Sequence, residues 1–317
     1  MVFLSFSAFV AAARRYQQGL ATAEDVASLH DAGLRRLAGG QNNPVYAFRH
    51  DGAPYCLKLF KVDDRQRDAR EWRALTLLAA RGYPYSPRPI HYEPEPHPPA
   101  VIMELVGGAG LGEQRLDGAQ VRALLAAIQE VYAITPDGVG QHVWPAVGTA
   151  AEMLARVQER AQRIQAAGLD GLHEEAHRIW MAWLSGPDPA ILLEPAAPVF
   201  SRGDANLANC LWDGQRLRLV DFEYSGWSDR AFDLADLVEH VQSRGTTDDT
   251  LAWLVEQFGL SGRERARFNA ARRFMALFWV MTWWERGQSA PGSPTHDRFA
   301  AQLQRARAIC QGFSSER

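Results

Sequence analysis

Cysteine is scarce: 317 residues carry only Cys56, Cys210 and Cys310. They lie far apart and form no C-x-x-C pair, which excludes a disulfide scaffold and a thiolate zinc centre and fits a reducing, cytoplasmic setting. Net charge is almost absent as well, since 34 Lys and Arg against 37 Asp and Glu leave −3. Without a dense basic run there is no field for a phosphate backbone, so nucleic acid is excluded as a partner. Long apolar runs are missing too. Residues 1–10 are apolar, but no basic segment precedes them and Arg14-Arg15 interrupt them short of bilayer length. They read as a helix packed on the body, with a signal peptide as the lesser alternative and no membrane partner. Neither G-x-S-x-G nor G-x-x-x-x-G-K-S/T occurs, which leaves a serine hydrolase and a P-loop NTPase unsupported.

What is present is a globular composition, 47% hydrophobic and 22% charged, and at roughly 150 residues per domain the length predicts two lobes. A second short helix is expected over 21–33. Residues 45–50 and 55–60 read as strands joined through Asp51-Gly52, a dipeptide suited to the positive φ of a hairpin turn. Leu57 and Leu59 share one face of the second strand, which turns Lys58 to the other. Trp72, Leu75, Leu78 and Ala79 mark a helix over 67–81, stopped by Gly82. Seven prolines between 83 and 99 predict an extended, turning connector. A buried strand over 100–106 ends at Gly107-Gly108, where the lobes divide into 1–106, with N-terminal helices over 1–33, and 107–317. The second lobe is helical over 118–132, 149–167 and 172–184 and again from 231 onward. Short strands over 199–200, 210–212 and 215–220 interrupt it, the last two joined by Asp213-Gly214.

The chemistry concentrates in that interruption. Asp204, Asn209 five residues later, and Asp221 after a hairpin offer oxygen-bearing side chains to one point, the donor type Mg²⁺ takes beside substrate phosphates. Between Arg202 and Glu239 eight acids face four arginines, a local −4 where a cation is wanted.

Arg202-Gly203-Asp204 through Asn209, then Asp221-Phe222-Glu223, then Asp233-Leu234-Ala235 resemble the H-G-D-x-x-x-x-N, D-F/W-E and D-L/I-A elements of the aminoglycoside phosphotransferase and choline kinase superfamily, the small-molecule relatives of protein kinases. The resemblance runs from about 34 to 240. It implies an α+β, bilobal protein-kinase-like fold with a small sheet-containing N-lobe and a larger, mostly helical C-lobe. It also implies transfer of a γ-phosphoryl group from ATP or GTP, with Mg²⁺, to a hydroxyl of a small acceptor. By that likeness Asp204 orients the acceptor hydroxyl and accepts its proton, Asn209 and Asp221 hold the metal, and Asp233 braces the loop. Lys58 and Glu71 resemble the ion pair that holds the α- and β-phosphates. Gly39, Gly40, Gln41, Asn42 and Asn43 stand where a phosphate-covering loop belongs, without its G-x-G-x-x-G. Met103, Glu104 and Leu105 stand at the hinge whose backbone meets the base.

Arg202 departs from the family, which has His there. Three readings are open: Arg202 braces the loop, contacts a phosphate, or marks a nucleotide-binding pseudokinase without turnover. The acceptor is expected to be cationic, an aminoglycoside or an amino-alcohol, drawn by the acids and by Glu285 with Trp283-Trp284. Phe222 to Gly226 with Arg230 to Asp233 lean toward the choline and ethanolamine kinases. Trp279, Trp283 and Trp284 with Phe274 and Phe278 otherwise read as core. His173-Glu174-Glu175-Ala176-His177 satisfies H-E-x-x-H, but a charged Glu175 and a proline-rich stretch before Glu194 favour a solvated helix face over zinc.

Overall fold

The computed structural model describes residues 5–38, 43–136, 144–166, 171–286 and 294–311. The chain opens with α1 (Phe6–Gln17), α2 (Ala23–Asp31), β1 (Arg35–Arg36), β2 (Val45–His50), β3 (Ala53–Leu59) and α3 (Arg67–Ala80). There follow β4 (Pro89–Glu93), β5 (Ala100–Glu104), β6 (Ala109–Gly110), α4 (Gly118–Tyr132), α5 (Ala150–Ala166), α6 (Gly171–Leu184) and α7 (Asp188–Leu193). The remainder holds β7 (Pro198–Ser201), β8 (Cys210–Trp212), β9 (Leu217–Leu219), β10 (Gly226–Asp229), α8 (Arg230–Glu239), α9 (Asp248–Glu256), α10 (Gly262–Arg286) and α11 (Pro294–Gln311). It divides into two compact units, one of Met1–Gly110 with Asn209–Ser225, the other of Leu111–Ala208 with Gly226–Arg317.

The first unit is built on an antiparallel sheet of order β1-β2-β3-β5-β4. Its hairpin turns through Asp51 (φ 49°) and Gly52 (φ 76°), the left-handed pair such a two-residue turn requires. Helices α1 and α2 cover one face, where Phe9 stacks on Phe48 at 4.1 Å and joins Leu29, Leu57, Leu59 and Ile102 in the core. Both helices start on side-chain caps: Ser5 accepts from the Ala8 N–H, and Thr22 with Asp25 forms a capping box. Because side chains alternate along a strand, Leu57 and Leu59 on the covered face leave Lys58 on the other. In α3 the inward residues are Glu71, Ala74, Leu75 and Leu78, whereas Ala79 is exposed. The proline-rich 83–99 segment contains a strand the sequence hides, β4, paired with β5 through a register shift between Pro89 and His91. Pro89 is tolerated because it opens an edge strand. A second sheet, β6-β8-β9, completes the unit. Gly108 (φ 122°) permits it, since a Cβ there would lie 2.9 Å from the Trp212 backbone.

In the second unit α10 is buried over most of its circumference, with Phe274, Met275, Ala276 and Leu277 at 1% exposure or less, and α7, α8 and α11 pack on it. Burial of four successive positions, Phe274 to Leu277, marks this stretch as a core segment. Strand β7 pairs antiparallel with β10, setting Ser201 opposite Gly226 and Phe200 opposite Trp227. Among the described residues no helix is long and apolar enough to cross a membrane.

Candidate active site

Lys58 is the centre of the first unit's polar interior. Its register on β3, opposite Val45 of β2 and Val101 of β5, fixes where the ammonium emerges. There Nζ meets Glu71 at 2.5 Å, Asp221 at 2.6 Å and Glu223 at 3.0 Å, and Lys58, Glu71 and Glu223 are all buried. Burial alone would lower the lysine's pKa, but Asp221, Glu71 and Glu223 together raise it well above its ordinary value. The three carboxylates thus favour the charged form of Lys58. Burial pushes the Glu71 carboxyl upward against the pull of Lys58. Glu71 also accepts from the Phe222 N–H at 3.3 Å, tying α3 to the segment that carries Asp221. Glu223, the last residue of the Asp221-Phe222-Glu223 element, is a third anchor: it accepts from Arg67 at 3.1 Å and from Asn43 Nδ2 at 2.5 Å.

The β8–β9 hairpin positions the remaining polar groups of this unit. Asp213 accepts from the Gln215 and Arg216 N–H groups at 2.8 and 2.7 Å, closing a turn in which Gly214 has φ 101°. Pairing of Cys210 with Leu219 then brings Asn209 and Asp221 to one end of the hairpin, where Asn209 Nδ2 lies 3.5 Å from Asp221 Oδ2. Asp221 has φ 67°, a left-handed conformation Asp tolerates better than most residues. Glu71, Asp221 and Glu223 bring carboxylate oxygens within 4.8 Å of one another. That centre is already taken by Lys58 Nζ, and the two glutamates are sealed from solvent. Asp221, with its side chain 34% exposed, opens outward beside the Asn209 amide. A carboxylate and an amide form the oxygen donor set of a hard divalent ion, so Asp221 and Asn209 fit Mg²⁺ better than the buried trio does.

Asp204 belongs to the second unit. Gly203 (φ 74°) turns the chain after β7, its N–H held by Ser201 Oγ at 2.9 Å. Asp204 Oδ1 accepts from the Asn206 N–H at 3.0 Å, and Asn206 Oδ1 from the Ala208 N–H at 2.9 Å, two successive Asx turns. Arg202 Nη2 donates to the Asn206 carbonyl at 3.2 Å, across the same loop. Asp236 accepts from the Ala205 N–H at 3.4 Å, while Asp233 accepts from Ser228 Oγ at 2.8 Å. Burial pushes both carboxyls up to about 7, with the charge of Asp204 adding to the effect at Asp236. His240 lies with Nε2 3.9 Å from Asp204 Oδ1. Asp236 and His240 carry no motif signal of their own, since they come 32 and 36 residues after Asp204.

Gly39, Gly40, Gln41 and Asn42 lie outside the described residues, as do Ala167 and the start of the chain at 1–4. Asn43 is buried, donating to Glu223 and accepting from the Lys61 N–H at 2.9 Å. Met103 and Glu104 end β5, and the Glu104 carboxylate accepts from Arg218 at 2.9 Å. Many of the acids between Arg202 and Glu239 are matched within the fold. Glu239 accepts from Arg244, Arg272 and Arg305, and Asp229 pairs with Arg267 at 3.0 Å, so the excess counted from sequence overstates the field. Glu285 is likewise engaged by Arg160, and the Trp283 ring is faced by Arg286 and Arg298 at 5.6 and 5.1 Å. Phe274 and Trp283 are core, while Trp279 and Trp284 are half-buried. His173 packs against Phe299 and Trp284, and Glu175 pairs with Arg307. Among the described residues no three-ligand group forms around the H-E-x-x-H helix.

A model described as "phosphotransferase enzyme family" matches residues 33–272. Among solved structures, one similar chain is a choline/ethanolamine kinase family protein from Mesorhizobium loti, 20% identical, with 87% of each chain covered and a TM-score of 0.62. Another is a thermostable mutant of aminoglycoside phosphotransferase APH(4)-Ia in a ternary complex with AMP-PNP and hygromycin B, 16% identical over 89% of this chain and 94% of that one, TM-score 0.64. A third is the apoenzyme of macrolide 2'-phosphotransferase MphH from Brachybacterium faecium, 18% identical over 88% and 96%, TM-score 0.58. At these identities the likeness is one of fold, a mixed helix-and-sheet architecture shared with kinase-like phosphotransferases. No curated protein sequence matches.

Proposed function

We propose, because the chain belongs to the phosphotransferase enzyme family, that it transfers the γ-phosphoryl group of ATP to a hydroxyl of a small cationic acceptor. The observation that carries this is Lys58, held charged by Glu71 with Asp221 in the same cluster. A buried ammonium already restrained by a helix carboxylate is preorganised to receive phosphate oxygens at little further cost.

In this reading Lys58 meets the α- and β-phosphates. The backbone of Met103 to Leu105 meets the base, and Asp221 with Asn209 holds Mg²⁺. The ion supplies charge neutralisation on the phosphate oxygens. Asp204 orients the acceptor hydroxyl and takes its proton as the acceptor oxygen bonds to the γ-phosphorus and the bond to the bridging oxygen breaks, releasing ADP. Arg202 braces the loop through the Asn206 carbonyl. The nucleotide-binding lobe is assigned to 1–106 and the catalytic and acceptor lobe to 107–317. A nucleotide-dependent reaction and unpaired cysteines suit the cytoplasm.

ATP is favoured over GTP by the AMP-PNP complex of one structural neighbour, and a cationic acceptor by its hygromycin B. A choline- or ethanolamine-type acceptor is the second reading, supported by the Mesorhizobium loti protein. The test is a matched panel of cationic, neutral and anionic alcohols, including hygromycin B, streptomycin, choline and ethanolamine, with Mg²⁺ and either ATP or GTP. Salt-sensitive phosphorylation of amines is expected. Preference for neutral sugars would reject the cationic acceptor alone. Nucleotide binding without transfer to any acceptor would favour the pseudokinase.

A further inference from the structure

We infer that His240 is a positioning residue for Asp204, a neutral imidazole that directs its Nε2–H at the carboxylate; this rests on the reading of Asp204 as the general base. His240 ends α8 and opens a short 3-10 turn, Val241–Ser243, and is buried. Nδ1 accepts from the Gln242 N–H at 3.1 Å, which assigns the ring proton to Nε2. The ring stands edge-on to Trp279, 4.8 Å between centroids at 82°, so its plane is fixed as well. Nε2 lies 3.9 Å from Asp204 Oδ1, the oxygen that also accepts from the Asn206 N–H. At 3.9 Å the Nε2–H faces the carboxylate from beyond hydrogen-bond length, a gap that closes in the reacting complex.

The groups around the ring keep it neutral. Burial, with the charges of Arg202 and Arg244 added, pushes the imidazole down to about 3, and Asp204 is the carboxylate facing Nε2. A neutral donor at this place fixes the plane of the Asp204 carboxylate and favours its anionic form without forming an ion pair that would quench its basicity. The chain lacks a histidine two residues before Asp204, where Arg202 stands. His240 instead places an imidazole 3.9 Å from the Asp204 carboxylate from 36 residues downstream. Arg202 spans the loop through the Asn206 carbonyl, while His240 faces the Asp204 carboxylate.

Two substitutions separate positioning from structure. Asn at 240 can still accept from the Gln242 N–H but ends short of Asp204, whereas Gln extends an amide N–H toward the place of Nε2. MgATP hydrolysis, with water as acceptor, is followed from about pH 5.5 to about 9 in both variants and in Asp204→Asn. His240→Asn is expected to lower kcat about tenfold with KM for MgATP unchanged and to move the acid limb of the kcat profile to higher pH; His240→Gln restores most of the rate. Wild-type rates and an unmoved limb in His240→Asn, with Asp204→Asn inactive, would overturn the inference and leave Asp204 standing. Wild-type hydrolysis by Asp204→Asn would overturn the reading of Asp204 and the inference with it. Nitrogen-15 shifts of labelled His240 give a readout independent of turnover. A neutral, Nε2-protonated ring at about pH 6 whose shift responds to Asp204→Asn is expected, and an Nδ1-protonated ring contradicts the proposal.

Discussion

Lys58 and Asp204 are both charged groups assigned to one reaction, yet the protein holds them by opposite means. Lys58 is sealed among Glu71, Asp221 and Glu223, so charge against charge in a low-dielectric interior fixes its place. Asp204, its side chain 22% exposed, is held by the Asn206 N–H and by the turn geometry that follows Gly203. The first arrangement is costly to disturb because removing one member strands the others in the interior. The second rests on a backbone N–H and a turn, so replacing Asp204 should cost little stability. Stability and turnover should therefore separate along this division.

The largest effect is expected at the sealed end. Lys58→Met leaves three carboxylates facing one another and should cost about 3–5 kcal/mol of unfolding free energy, read by urea titration, together with nearly all phosphoryl transfer. A loss below about 1 kcal/mol would show that solvent or protonation relieves the trio more easily than burial implies. Glu223→Gln should come next. It keeps the shape, releases Arg67 and Asn43 from a charged partner, and should cost about 1–3 kcal/mol while turnover falls less than in Lys58→Met. On the turn-held side, Arg202→His should leave the melting curve unchanged and lower kcat/KM by less than about tenfold, because Arg202 spans the loop rather than meeting the reacting atoms. A larger loss would place its guanidinium on phosphate or acceptor.

The smallest effect is one of pH. Burial raises Asp233 from the ordinary 3.8 to about 7. Its contribution to stability is then full below the unfolded value near 4 and is lost as pH climbs through about 7. Denaturation at about pH 5 and about pH 8 should show wild type losing more stability than Asp233→Asn over that interval. Equal slopes would mean that Ser201, Ser228 and Tyr132 stabilise the carboxylate as well as they do the acid.

Much of this division is legible in the sequence. Alternation of Leu57 and Leu59 about Lys58 gives the lysine its face, and the hairpin between Asn209 and Asp221 brings those two side chains to one end of it. Convergence is what the linear order does not reveal. Glu223 reaches Lys58 across 165 positions, and nothing local to Phe222-Glu223 says that its carboxylate turns inward toward Arg67. Strand β10 lacks the alternation of a strand because Gly226, Trp227, Ser228 and Asp229 take that form only from pairing with β7. Strand β4 is masked by prolines that an edge tolerates and a central strand would not. His240 is invisible for the same reason as Glu223, a tertiary contact made from another element. The acids after Arg202 mislead in the other direction, since charge counted along the chain ignores arginines such as Arg272 and Arg305 that arrive from α10 and α11.

Calorimetric titration of MgATP into Asp204→Asn and Asp221→Asn tests the separation of binding from chemistry most directly. Asp204→Asn should bind within about twofold of wild type while losing turnover by about 10²-fold or more, and Asp221→Asn should bind at least about tenfold more weakly. Weakened MgATP binding in Asp204→Asn, or wild-type affinity in Asp221→Asn, would contradict the assignment of nucleotide phosphates to Lys58, of metal to Asp221 with Asn209, and of proton transfer to Asp204.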